Sequence, residues 1–122
     1  MSRRPLVEIL YFDGCPNQED VRALVERIGL ELGIELDLRL VEVPDEATAQ
    51  RLGFLGSPTV RVGGEDVDPQ AVGRGGYVLS CRVYRTERGF AGHPDADLVR
   101  DAIVREASTV AGVRRHAVRR GR

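Results

Sequence analysis

The stretch from Leu6 to Gly33 leaves this chain the fewest choices. Leu6 to Phe12 (LVEILYF) is a β-branched and aromatic run that reads as a largely buried strand. Within four residues, through Gly14-Cys15-Pro16-Asn17, it gives way to a helical pattern in which Val21, Leu24, Val25, Ile28 and Leu32 recur. Glu19 and Asp20 suit the positive end of that helix, and Gly33 suits its C-terminal stop. A buried strand turning sharply into a helix is the opening unit of an α/β fold.

The rest of the chain is compatible with that start. From Ile34, Leu36, Leu38 and Leu40 alternate with Glu35, Asp37 and Arg39, the pattern of a strand with one solvated face, as at a sheet edge. Asp45, after Pro44, is placed to cap a short helix that Gly53 ends. Residues 59–67 predict two short strands around a Gly63-Gly64 turn. Residues 68–79 predict a loop, and Ser80–Arg85 reads either as strand or as irregular chain. Pro94 and Asp95 open a last helix with an apolar stripe of Leu98, Val99, Ala102, Ile103 and Val110. The strand connections that run through helices predict parallel pairing, and the glycine turn an antiparallel hairpin.

At 122 residues this is one domain's worth of chain, and the 42% hydrophobic content supports a modest core. The expected domain spans 5–107, with 68–93 as a loop-rich insertion and 112–122 as a basic tail. The formal net charge is −1, unevenly spread: residues 1–111 hold 13 arginines against 19 acids, and 112–122 hold five arginines and no acid. No overall basic field is present to bind nucleic acid. No apolar run reaches the ~18 residues of a membrane span. All 18 basic residues are arginine, which excludes lysine chemistry of every kind. Glu8 and Asp13 interrupt the N-terminal apolar run before a signal-peptide core can form, so the expected location is cytoplasmic. In a reducing compartment, Cys15 and Cys81 are better read as catalytic, redox-sensing, metal-binding or inert than as a structural staple.

Cys15 falls at the predicted helix N-terminus, where unpaired backbone N–H groups stabilise an anion such as a thiolate. Asp13 opposes that effect. Gly14 permits the sharp turn, and Pro16 costs nothing where no helical N–H bond is due. The second element is Gly56-Ser57-Pro58-Thr59, which leads straight into a strand. A cis Ser57-Pro58 bond would turn the preceding backbone outward and leave the Ser57 N–H and C=O free to pair with an extended peptide. Cys81 lies 66 positions after Cys15, beside Arg82 and Arg85, and reads equally as a distant resolving thiol or as a packing residue. Zinc needs about four ligands, and only Cys15, Cys81, His93 and His116 are on offer, so no metal site is expected. His93, between Gly92 and Pro94, reads as a solvated residue before the last helix.

Taken together, LVEILYFDGCPNQEDVRALVERI and the later FLGSPTVRVGGEDV resemble the thioredoxin-like superfamily, and in particular its small glutaredoxin-like and monothiol members. The similarity covers about residues 5–67, with a final helix near 94–107. It implies an α/β three-layer sandwich, a mixed four-stranded sheet with helices on both faces. Carried over by position, it makes Cys15 the attacking cysteine and Pro58 the cis-proline beside it. Gly14, Pro16, Asn17 and Ser57 complete the surroundings, with Arg82 added as a cation that can hold substrate.

Two departures stand out. Gln18 occupies the place of the second cysteine, and Asp68-Pro69 stands where a glutathione-binding Gly-Gly is usual, so neither a local dithiol nor a glutathione cofactor is expected. The function so implied is thiol-disulfide exchange through Cys15 with a thiol- or disulfide-bearing protein or a small thiol, resolved by Cys81 or an external thiol. Oligomeric state stays open. Two alternatives compete: a redox-silent binding module using the Ser57 edge, and two-thiol handling of a soft metal. The second includes organomercurial chemistry or an arsenic oxyanion held by Arg61 and Arg82.

Overall fold

The computed structural model describes residues 4–15, 17–71, 76–77 and 79–120, with side chains of the last helix described as far as Thr109. Strand β1 (Leu6–Tyr11) leads to helix α1 (Gln18–Leu32), strand β2 (Asp37–Glu42) and helix α2 (Glu46–Leu52). Strands β3 (Thr59–Val62) and β4 (Glu65–Asp66), a 3-10 turn at Pro69–Ala71, strands β5 (Tyr84–Thr86) and β6 (Gly89–Ala91), and helix α3 (Ala96–Arg120) follow.

The main sheet is four-stranded and mixed, in the order β2-β1-β3-β4. β1 pairs parallel to β2, with Ile9 opposite Leu40, and antiparallel to β3, with Ile9 opposite Val60. One face carries α1 and α3: Val21, Val25 and Ile28 of α1 and Val99, Ala102 and Ile103 of α3 cluster with Val7, Ile9, Val60 and Val62 of the sheet. The other face carries α2, where Leu10, Val43, Ala49 and Phe54 form a second, smaller core. This is the three-layer thioredoxin-like sandwich that the resemblance implied.

The direction of β3 corrects one expectation. A helix lies between β2 and β3, yet β3 runs antiparallel to β1. The seven residues of α2 rise only about 10 Å, whereas six-residue β1 and β2 span roughly 20 Å. The helix therefore does not return the chain to the start of the sheet, and β3 runs back from the end where β2 finished.

Local sequence signals account for most boundaries. Asp45 caps α2 by accepting a hydrogen bond from the Thr48 N–H at 2.7 Å. The Gly63-Gly64 turn has φ of 61° and 88°, the double positive value that a two-residue hairpin of the primed type requires. β2 sits at the sheet edge, and its Leu40 is 41% exposed. The last helix runs well past the expected 94–107, to Arg120. Within the 68–93 insertion the chain forms the β5–β6 hairpin, with Arg85 opposite Phe90, outside the main sheet. No helix among the described residues is long and apolar enough to cross a membrane.

Candidate functional site

The pairing of β1 with β3 decides which parts of the chain meet at one end of the sheet. Leu10, near the end of β1, is opposite Thr59, the first residue of β3. Whatever follows β1 therefore shares a sheet end with whatever precedes β3. Cys15 follows β1 by four residues, and Ser57-Pro58 immediately precedes β3. In open α/β sheets, the ends of the strands are where ligands bind.

After β1 the chain closes a tight turn, with the Cys15 N–H donating to the Phe12 carbonyl at 3.2 Å. Gly14 holds φ of 91°, a value that favours glycine, so the turn needs that residue. Helix α1 begins at Gln18 with Asn17 as its N-cap, and the Asn17 side chain makes no capping hydrogen bond. That side chain lies against Gly92, where an added Cβ would collide with its amide. The loop holding Gly92 and His93 is thereby brought beside the start of α1. His93 is exposed, as its sequence context suggested, and its Nδ1 lies 3.0 Å from the Pro94 carbonyl. A carbonyl only accepts, so Nδ1 carries the proton in that contact. Pro16 lies outside the described residues.

The Ser57-Pro58 peptide is cis. The Ser57 N–H and C=O, however, are not open to a visiting peptide. The Ser57 N–H donates to the Ser80 carbonyl at 2.8 Å, and the Arg82 N–H donates to the Ser57 carbonyl at 2.8 Å. These bonds form a parallel bridge that sets Cys81 opposite Ser57. The expectation that this edge is free for binding is therefore corrected: the chain covers it with its own Ser80–Arg82 segment, and Ser57 is fully buried. A binding module built on that edge loses its docking surface.

Arg82 is placed differently from its expected role as a substrate-facing cation. Its side chain is 1% exposed and lies between two acids. Nη1 donates to Asp66 Oδ2 at 2.6 Å and to Thr59 Oγ1 at 3.2 Å. Nη2 reaches Asp66 Oδ1 at 3.1 Å and Asp68 Oδ2 at 3.5 Å. The guanidinium carbon also stacks 4.3 Å from the centre of the Tyr84 ring. Burial disfavours the Arg82 charge, but the Asp66 hydrogen bond, together with Tyr84 and both carboxylates, outweighs it and raises the pKa above the ordinary value. The Tyr84 hydroxyl donates to the Pro58 carbonyl, and burial pushes its phenol pKa well above the ordinary value.

This network anchors the covering segment from below. Gly56 completes the anchor, because a Cβ there would lie 2.9 Å from Arg82 Cβ and 3.1 Å from the Ser80 carbonyl oxygen. Nothing in the sequence marks Asp66, Asp68 or Tyr84 as partners of Arg82. Asp68-Pro69 stands out there only as a departure from a glutathione-binding pattern.

The two thiols differ in exposure. Cys15 is buried at 9%, whereas Cys81 is exposed, and neither is in a disulfide. Arg61, the other proposed oxyanion holder, donates to the Leu52 and Gly53 carbonyls at 2.6 and 3.1 Å, at the C-terminal end of α2. Both arginines of the oxyanion reading thus have internal partners. Among the described residues, no group of three or more His, Cys, Asp or Glu side chains is arranged to hold a metal ion. A recess of about 880 Å³ is lined by Arg61, Asp66, Val67, Tyr77, Leu98 and Arg105 among others, and neither cysteine lines it. Volume favours the recess as a binding site, but nucleophilic chemistry resides in the thiols, so the candidate site is the sheet end that carries Cys15, Ser57 and Cys81. No family model matches the chain, and no curated protein matches its sequence.

Proposed function

We propose that this protein carries out thiol-disulfide exchange through Cys15, with Cys81 as the second thiol. The observation that carries the reading is the parallel bridge of Cys81 with Ser57, at the same end of the sheet as the turn holding Cys15. A Cys15 thiolate attacks one sulfur of a disulfide RSSR. A bond from Cys15 Sγ to that sulfur forms as the S–S bond breaks, and RS⁻ leaves and takes a proton from solvent. The Cys81 thiolate then attacks Cys15 Sγ, closing a Cys15–Cys81 disulfide and expelling the second RS⁻. Two protein thiols are oxidised, and one disulfide is reduced to two thiols. Two equivalents of an external small thiol return the protein to its dithiol state by the reverse exchange and leave as their own disulfide. Gln18, in the place where a local second cysteine would stand, cannot resolve the mixed disulfide, which leaves that step to Cys81 or to an external thiol.

A second order of events is favoured by exposure. Cys81 is exposed and Cys15 is buried, and exchange rates follow access. In that order Cys81 takes the first mixed disulfide and Cys15 resolves it.

Single cysteine variants test the reading. With bis(2-hydroxyethyl) disulfide, Cys81→Ser is expected to stop at a mixed disulfide on Cys15. Cys15→Ser is expected to lose most of the exchange rate. A Cys15→Ser protein that exchanges as fast as the wild type assigns the first step to Cys81. Neither thiol reacting faster than free cysteine contradicts the proposal altogether.

A further inference from the structure

We infer that the disulfide exchanged at this site is a small, compact molecule and not an extended polypeptide. The inference rests on the exchange reading above and deepens it by naming the substrate class. An extended peptide docks by adding a strand to an exposed backbone edge, where main-chain hydrogen bonds supply its affinity. At this sheet end the edge is Ser57, and both its N–H and its C=O are already bonded to Ser80 and Arg82.

Three features keep the Ser80–Arg82 segment from giving way to a visitor. Gly56 lets its backbone approach so closely that a Cβ would meet Arg82 Cβ at 2.9 Å. Arg82, 1% exposed, is tied to Asp66 by two hydrogen bonds, and lifting it out would leave the Asp66 carboxylate, itself 14% exposed, without its cation. Tyr84, two residues further on, is buried with its hydroxyl on the Pro58 carbonyl. The segment is therefore part of the packed structure.

Cys81 in the same segment remains exposed. A disulfide that makes no demand on the Ser57 backbone meets the thiols directly, whereas one embedded in an extended chain must desolvate backbone groups against an edge that offers them no partner. The exchange itself balances as written above, with the small disulfide as oxidant and its two thiols as products.

The test compares two disulfides that share a 2-mercaptoethanol half, each followed by the release of that thiol. One is bis(2-hydroxyethyl) disulfide. The other is the 2-mercaptoethanol mixed disulfide of an unstructured ten-residue peptide with a central cysteine. Each rate with the wild-type protein is divided by the rate of the same disulfide with free N-acetylcysteine, which removes intrinsic reactivity. The normalised rate for the small disulfide is expected to exceed that for the peptide by roughly thirtyfold, the factor that two peptide backbone groups desolvated without partners against the covered Ser57 edge cost. Comparable normalised rates overturn the inference and leave the exchange reading standing. Reaction with neither disulfide above the N-acetylcysteine reference removes the exchange reading, and the inference with it.

Discussion

Ser57 and Cys81 face each other across a parallel bridge, held by hydrogen bonds of 2.8 Å from the Ser57 N–H to Ser80 and from the Arg82 N–H to the Ser57 carbonyl. That relationship joins the start of β3 to a segment 24 positions later. It gives the exposed thiol a fixed backbone position at the sheet end where the Cys15 turn emerges. What holds it there is a buried ion pair, so the candidate chemistry and the stability of the fold depend on the same few side chains.

The first prediction concerns that ion pair. Replacing Arg82 with Met leaves Asp66, 14% exposed, without its partner, and is expected to destabilise the protein by about 3 kcal/mol in denaturant unfolding. Replacing Arg82 with Met and Asp66 with Leu together removes both charges, and is expected to cost less than the two single changes summed. Additive losses in the double-mutant cycle would show that the pair does not act as a unit.

Alkaline pH provides a second check through Tyr84. Its folded pKa is raised above the unfolded value, chiefly by burial, so the neutral phenol contributes stability that is fully present below about pH 10. That contribution is lost as pH rises beyond the unfolded value toward the folded one. In a spectrophotometric titration, one of the three tyrosines is expected to ionise late and together with unfolding. Tyr84→Phe is expected to abolish that late component. An unchanged titration curve in the variant contradicts the buried placement of the phenol.

The α2 face of the sheet yields a third prediction. Phe54 is fully buried among Leu10, Val43 and Ala49, whereas Leu30 on α1 is 83% exposed. Phe54→Ala is expected to cost about 3–5 kcal/mol through lost burial and the cavity left behind. Leu30→Ala is expected to stay within about 0.5 kcal/mol of wild type. Similar losses at both positions contradict the assignment of the second core to α2.

The legible parts of this fold are those whose signals are local. The apolar run from Leu6, the helical spacing from Val21 to Leu32, the Asp45 cap and the Gly63-Gly64 turn each declare themselves within a window of a few residues, and each is found where the sequence put it. The direction of β3 is not legible, because residue order shows that a helix intervenes but not how far it carries the chain. The sequence leaves Ser80–Arg85 open between strand and irregular chain, and gives no sign of β6, because strands of three residues are too short to show a period of two. The same limit separates Cys15 from Cys81. Cys15 is marked by its neighbours in a strand-to-helix turn, while the position of Cys81 depends on a pairing with Ser57 that has no local signature. Of Arg82 the sequence shows the charge alone. Only the folded chain reveals that Asp66 and Asp68, 16 and 14 positions earlier, take up that charge.

The most direct measurement of the central claim is a peptide map of the wild-type protein under non-reducing conditions, after reaction with one equivalent of bis(2-hydroxyethyl) disulfide. Exchange through Cys15 with Cys81 as its partner predicts a single crosslinked species joining the peptides that contain Cys15 and Cys81, formed in the monomer and independent of protein concentration. Recovery of the two cysteines only as separate hydroxyethyl mixed disulfides, or as unmodified thiols, would contradict it.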